Sequence, residues 1–231
     1  MKVNKRVVLK LSGNAFGVNG QYNFGLISDV ARRVIAACRS YELILIVGGG
    51  NISRGKDCHK NGFEEEVAHN IGLLSTIING LILKNELNKI GADAQLLNSY
   101  GSIPSIENYS PERAKETLEK GKTLICVGGI GITGYSTDSG ALYRARELNA
   151  DLVLKGSRVD AIYDDDPEKN RRAKKIKEIS YNDYLKKDLK VIDKDAALIA
   201  KEHRIKIRIF NLFNEQDLAK VISGDIGSTI C

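Results

Sequence analysis

The sequence predicts an α/β fold, a mostly parallel central sheet sandwiched by helices in three αβα layers. Short runs of Val, Ile and Leu recur without polar alternation, as in strands covered on both faces. Segments with helical periodicity lie between them. Glycine-bearing turns follow several of the runs, where a parallel sheet gathers its ligand-binding loops. The 231 residues suit a single domain spanning 1–231 with two lobes, large enough to bury a substantial core.

The elements follow in chain order. Residues 6–11 (RVVLKL) form the first strand and end in Ser12 and Gly13. Ser28 is placed to cap a helix over 29–40, where Val30, Val34, Ala37 and Cys38 share a face. The strand 43–47 (LILIV) runs into Gly48-Gly49-Gly50-Asn51. Segment 67–89 is long enough to be one helix, and its centre, 71–83, is apolar nearly all round. Such a helix is buried inside the domain or against another copy of the chain, and a subunit interface is the favoured expectation. After a short strand at 94–97, Ser110 and Pro111 open a helix reaching Lys120, with proline at the first position, where its missing N–H costs nothing. The strand 123–127 leads into 128–141 (GGIGITGYSTDSGA), and 139–148 reads as a helix. The strand 152–155, a helix at 196–203 and the strand 207–211 complete the pattern.

Composition narrows the function classes. Hydrophobic residues make up 42% and charged residues 28%, a soluble globular balance. No uninterrupted apolar run nears the ~20 residues that span a bilayer, and the N-terminal run is too short for a signal peptide, so a cytoplasmic protein without membrane attachment is expected. Cys38, Cys58, Cys126 and Cys231 are scattered without metal-ligand spacing, which predicts reduced structural thiols and no metal site. The net charge of +6 is matched by the six basic residues of 169–177 (KNRRAKKIK) alone. One basic loop with no interleaved aromatics reads as solvated surface, so no nucleic-acid partner is expected.

The glycine turns after the strands ending at 11, 47 and 127, accompanied by Lys10 and Arg54, point to a bound anion, because glycine lets converging N–H groups approach phosphate oxygens. Gly129-Ile-Gly131-Ile-Thr-Gly134 spells the dinucleotide-binding G-x-G-x-x-G. That turn normally follows the first strand, however, and wants an acid at the end of the next one. Here the next strand ends at Lys155, and Asp151 lies at its other end, so the dehydrogenase reading fails. Asp138, Asp160, Asp166 and Asp193 are acids with uses beside a polyphosphate, whereas Asp164 and Asp165 read as solvated turns.

Taken in order, KLSG at 10–13, GGGNxxRG at 48–55, ST-D-S at 136–139, LKxSxVDxxYxxDP at 154–167, LKVIDxxA at 189–196 and IRIFN at 207–211 resemble the amino acid kinase superfamily and, within it, the bacterial uridylate kinases. The resemblance runs essentially end to end. It implies transfer of the ATP γ-phosphoryl group to UMP, with Mg²⁺ on the phosphates, an acceptor-binding N-terminal lobe and an ATP-binding C-terminal lobe. It implies a homo-oligomer, a hexamer built on dimers, with GTP activation and UTP inhibition in many members. By the same resemblance, Lys10 bridges the transferred group, Leu11, Ser12, Gly13 and Gly50 belong to the ATP phosphate cradle, and Arg54 contacts phosphate. Ser157, Tyr163 and Asp166 line the adenosine site, while Asp138 and Asp193 orient catalytic groups. Gly49, His69 and the segment Ile130, Gly131, Ile132, Thr133, Gly134, Tyr135, Ser136 and Thr137 hold UMP.

The chain departs from the family pattern on the acceptor side. Ile130, Ile132, Thr133 and Gly134 replace the usual Thr, Asn, Pro and Phe, and Asn14 replaces an acid. His69 stands where the family has an aspartate for the ribose, so it reads either as a substrate contact or as a solvent-facing residue at a helix start. Two other functions stay open on the sequence: a superfamily kinase with a different small acceptor, and a non-catalytic nucleotide-binding regulatory or storage protein.

Overall fold

The computed structural model describes residues 5–53, 58, 61–165, 167, 169–170, 172–214 and 218–231. Its strands are β1 (Arg6–Leu11), β2 (Gly17–Val18), β3 (Gln21–Tyr22), β4 (Glu42–Val47), β5 (Ala94–Asn98), β6 (Glu107–Asn108) and β7 (Thr123–Val127). They continue with β8 (Leu152–Ser157), β9 (Ile162–Tyr163), β10 (Lys175–Ile176), β11 (Glu178–Ile179), β12 (Lys206–Asn211) and β13 (Ser228–Ile230). The α-helices are α1 (Phe24–Cys38), α2 (Glu65–Lys89), α3 (Pro111–Glu119), α4 (Thr137–Glu147), α5 (Tyr181–Lys186), α6 (Lys194–His203) and α7 (Leu218–Ser223).

One nine-stranded sheet has the order β11-β13-β12-β8-β1-β4-β7-β5-β6, with every pairing parallel except β12 with β13. Two hydrophobic layers explain the unalternated strand runs. Val7, Leu9 and Leu11 of β1 pack on one face with Ile27 and Val34 of α1 and Leu83 and Leu87 of α2. Val8 of β1 and Ile44 and Ile46 of β4 pack on the other face with α3, α4, α5 and α6, through Leu118, Leu142, Tyr184 and Ala197. The three-layer αβα expectation is met. All four cysteines are free. Cys38 belongs to the first layer and Cys126 to the second, and burial pushes both thiols up to about 12.

Local chemistry sets the helix starts. Ser110 accepts the Arg113 N–H at 3.2 Å and Pro111 opens α3, as expected. The first helix differs from expectation: it starts at Phe24, capped by Asn23, whose side chain accepts the Leu26 N–H at 2.9 Å. Ser28 lies inside it and donates to Glu86 of α2 at 2.6 Å. The cap of α4 is Ser136, which accepts the N–H groups of both Asp138 and Ser139 at 3.1 Å, so this helix begins two residues before the expected 139.

Helix α2 corrects the membrane reading in one respect: it is long and apolar enough, by length and composition, to cross a bilayer. Its buried polar residues nevertheless bond within this chain. Asn79 bonds Gly48 and Asn51, Thr76 bonds Gly128, and Glu86 bonds Ser28 and Lys89. These are the contacts of a helix packed on a sheet. On its outer side Val67, Leu74, Ile78 and Leu81 remain exposed.

Candidate active site

The three glycine turns leave the carboxyl ends of β1, β4 and β7, which are neighbours in the sheet, so segments far apart in sequence meet at one rim. The first two turns are in close backbone contact. Gly48 N–H donates to the Leu11 carbonyl at 2.9 Å, and a Cβ on Gly13 would lie 2.4 Å from Gly50 N. No side chain fits there. Asn79, fully buried in α2, anchors the second turn by donating to the Gly48 carbonyl at 2.7 Å and to Asn51 Oδ1 at 2.6 Å, while Tyr22 donates to its oxygen at 3.0 Å. The third turn is held by the Gly128 N–H donating to Thr76 Oγ1 at 2.9 Å. Arg144 supports it from below, donating to the Gly129 carbonyl at 3.3 Å and to Ser99 at 2.8 Å. Its guanidinium lies 3.6 Å from the Tyr109 ring centroid and pairs with Glu147, which keeps the charge partnered although Arg144 is buried.

The parallel register of β1 and β8 sets Lys10 beside Lys155, so both ammonium groups reach the same side of the sheet. Asp138, in the first turn of α4, lies between them. Its Oδ1 is 3.0 Å from Lys10 Nζ, its Oδ2 accepts from Lys155, and Lys155 also donates to the Val191 carbonyl. Burial works to raise the Asp138 pKa, but the charges of Lys10 and Lys155 outweigh it and hold the carboxyl below the ordinary carboxylate range. Burial lowers the Lys155 pKa, with Asp138 opposing and the neighbouring Lys10 charge adding to the fall. Two cations around one carboxylate leave one excess positive charge in a largely dry site. That charge and the glycine N–H groups together suit a polyphosphate.

Lys10 lines one cavity, and of the others along this rim two hold further expected site residues. Lys10, Ser12, Gly13, Asn14, Gly48, Gly49, Gly50 and Thr137 enclose about 220 Å³. A second space, also about 220 Å³, shares Gly49, Gly50 and Thr137 with the first and adds His69, Ile132, Thr133, Gly134, Tyr135 and Ser136. A third, of about 510 Å³, contains Tyr163, Asp164, Asp165 and residues 187–191. Tyr184 fixes that last segment: its hydroxyl donates to the Ile192 carbonyl at 3.1 Å and accepts the Ile192 N–H at 2.7 Å.

Most of the expected site residues lie at this rim. Leu11 sits just beneath it with its side chain in the core, so only its backbone faces the turns. Ile130 and Gly131 are in the loop after β7 but outside the cavity wall, Ile130 approaching Gly140 and Gly131 packed on the Ser99 carbonyl. Ser157 accepts the Val159 N–H at 3.2 Å and lies outside the third cavity. Asp193 is exposed at the N-cap of α6, and its charge adds only slightly to Asp138 in opposing the fall of the Lys155 pKa. Arg54 and Asp166 lie outside the described residues.

Three residues were missed. Lys155 ends an apolar run and reads as a strand boundary, since nothing local announces the β1–β8 register. Arg144 lies inside the helix expected over 139–148 and was given no role, because its contacts with Ser99 and Tyr109 arise only on packing. Asn79 did carry a signal, as the one amide in the apolar centre 71–83 of its helix.

The family model "Amino acid kinase family" matches residues 5–211. The uridylate kinase of Pseudoalteromonas atlantica is 36% identical over 233 residues, covering 98% of this chain and 94% of that protein. Among solved structures, UMP kinase from Ureaplasma parvum superposes with a TM-score of 0.92 at 30% identity, covering 98% of both chains. UMP kinase from Bacillus anthracis gives 0.93 at 30% identity, covering 98% of this chain and 95% of that one. The rim of three glycine turns around a lysine–aspartate–lysine cluster thus sits in a fold and sequence shared end to end with these kinases, and the chain belongs to the amino acid kinase family, in its uridylate kinase branch.

Proposed function

We propose that this protein transfers the γ-phosphoryl group of ATP to UMP, giving ADP and UDP, as a cytoplasmic enzyme of pyrimidine nucleotide synthesis. The observation that carries this reading is the shared wall of the first two cavities: Gly49, Gly50 and Thr137 belong to both, so an acceptor phosphate and a donor polyphosphate meet beside Lys10. Phosphoryl transfer asks the protein chiefly for positioning and charge neutralisation.

The residues divide the work as follows. Gly13, where no Cβ would fit, and Gly50 belong to the cradle of the donor phosphates. Lys10 neutralises charge on the transferred group, and Asp138 holds Lys10 in place while Lys155 balances the carboxylate. The wall formed by 132–137, with His69, binds UMP. Tyr163 and the 187–191 segment receive the adenosine. Arg54, Ser157, Asp166 and Asp193 complete the ATP side in this reading. Mg²⁺, carried mainly on the nucleotide phosphates, supplies further charge neutralisation. In this reading the adenosine end belongs to the ATP-binding C-terminal lobe and His69 and Gly49 to the acceptor-binding N-terminal lobe, while the phosphate turns at 10–13 and 50 and the acceptor wall at 132–137 cross between the two lobes of one domain. The exposed stripe of α2 is the dimer contact of a homo-oligomer, a hexamer in its full assembly.

The test incubates the protein with MgATP and a panel of nucleoside monophosphates and small acids, following ADP release. UMP-dependent ADP formation is expected. Turnover with another acceptor only, or nucleotide binding without turnover, would overturn the assignment.

A further inference from the structure

Helix α2 packs against both the second and the third glycine turns. A Cβ on Gly49 would lie 2.6 Å from Ser75 Cβ, 2.9 Å from the Gly72 carbonyl oxygen and 3.2 Å from Thr76 N, so the second turn is pressed onto the helix backbone. A Cβ on Gly80 would lie 2.3 Å from Val127 Cγ1, at the end of β7, and one on Gly129 would lie 2.9 Å from Leu73 Cδ2. Two buried side chains, one helical turn apart and so on one face, make the attachment directional. Asn79 donates to the Gly48 carbonyl at 2.7 Å and exchanges amide hydrogen bonds with Asn51 at 2.6 and 3.2 Å, which ties it to the second turn. Thr76 accepts the Gly128 N–H of the third turn at 2.9 Å while donating to the Leu73 carbonyl at 2.7 Å. Asn79 is 0% and Thr76 3% exposed, so bulk water does not replace a lost partner. The second turn supplies Gly49 and Gly50 to both phosphate-side cavities, and the third leads into the wall at 132–137.

From this geometry we infer that Thr76 and Asn79 are positioning residues for phosphoryl transfer: they lock both turns to one helix and so set the distance between donor and acceptor phosphates. The inference rests on the two cavities being the ATP and UMP subsites. Reacting atoms must come within ~3–3.5 Å in line, and a misplacement of ~1 Å costs about 10² in rate. Glycine-rich turns are too pliant to hold that precision alone, whereas a 25-residue helix packed on the sheet is not. Breaking one attachment leaves each turn able to bind its own nucleotide but lets the two drift out of register. The damage therefore falls on the transfer rate and spares the separate affinities.

The test compares Thr76→Val with Thr76→Ser. Valine keeps the shape and removes the oxygen, stranding the Gly128 N–H in a dry site, while serine keeps the oxygen. The single-turnover rate of transfer from saturating MgATP to UMP is measured, with Kd for ATP and for UMP taken separately by calorimetry. Thr76→Val is expected to slow transfer by ~10-fold or more with each Kd within about threefold of wild type, and Thr76→Ser to recover most of the rate. An unslowed Thr76→Val, even one with a lowered unfolding midpoint, overturns the inference. So does a loss expressed only as weaker binding of one nucleotide, or an equal loss in Thr76→Ser. A wild type that phosphorylates another acceptor in place of UMP sinks the substrate assignment, a separate result, and the Thr76 comparison then decides on that acceptor. No turnover of any acceptor sinks both. Should Thr76→Val fail to fold, Asn79→Ser, which withdraws the amide from Gly48, decides by the same measurements.

Discussion

Asp138 carries the densest chemistry of any single residue, because two ammonium groups depend on it inside a nearly dry site. Replacing it with Asn leaves Lys10 and Lys155 facing each other around a neutral amide. Breaking a buried ion pair in this way costs about 3–5 kcal/mol, read by urea unfolding. Adding Lys155→Met to Asp138→Asn removes one uncompensated cation and is expected to recover part of that loss without restoring turnover. The pH dependence has a definite sign. The folded pKa of Asp138 lies below its unfolded value, so its stabilisation is fully present above the ordinary carboxylate pKa and is lost as pH falls through the depressed one. The stability gap between wild type and Asp138→Asn is therefore expected to stay flat from about pH 7 to about pH 5 and to close only in stronger acid. Lys10→Ala tests the other role. With Asp138 still paired to Lys155, the unfolding midpoint should move little, while kcat falls by ~10² or more because the lost charge acts mainly in the transition state. Lys10 and Asp138 were legible in the sequence as members of recognisable motifs. Lys155 stood in such a motif too, at 154–167, but without a role, because its role comes from lying opposite Lys10 across two strands about 145 residues apart, a relation that only the sheet creates.

Among elements, turns and helix starts decide how well the rim is built. Gly13→Ala would place a methyl group against two backbone nitrogens, Gly50 N at 2.4 Å and Asn51 N at 2.6 Å, neither of which can rotate away. Stability is expected to drop by about 1–3 kcal/mol, and KM for ATP to rise as the two turns are forced apart. Gly25→Ala, in the first turn of α1 with its nearest neighbour at 3.5 Å, is the matched control and should unfold no earlier than wild type. The long strands and α3 were readable because burial on both faces and a Ser-Pro start leave strong local marks. The start of α1 was not: Asn23 and Ser28 are both good caps, and the choice fell to Asn23 because Ser28 faces Glu86 on a neighbouring helix. Two-residue strands such as β9 and β10 are too short to carry any periodicity.

At the scale of the whole molecule, α2 joins three jobs. One face lines the cavity beside the 132–137 loop, Asn79 anchors the glycine turn after β4, and Val67, Leu74, Ile78 and Leu81 stand exposed on the far side. If that stripe is the subunit contact, Leu74→Glu with Ile78→Glu should shift the sedimenting species to a smaller assembly without changing the circular dichroism of the subunit. An unchanged sedimentation coefficient would place the contact elsewhere. The sequence revealed an unusually apolar helix but not which side lay open, since that depends on how the helix rolls onto the sheet.

The two deeply placed thiols have a consequence for how the layers come apart. Cys38 and Cys126 lie beneath different helical layers, and as protonated, enclosed thiols they resist alkylation until their own layer lifts. Cys58, only partly enclosed, should react at once. Timed alkylation read by peptide mass spectrometry then reports each face of the sheet with its own clock. Identical rates would mean that both coverings detach in one cooperative event, whereas a faster Cys38 or Cys126 would identify the covering that peels away first.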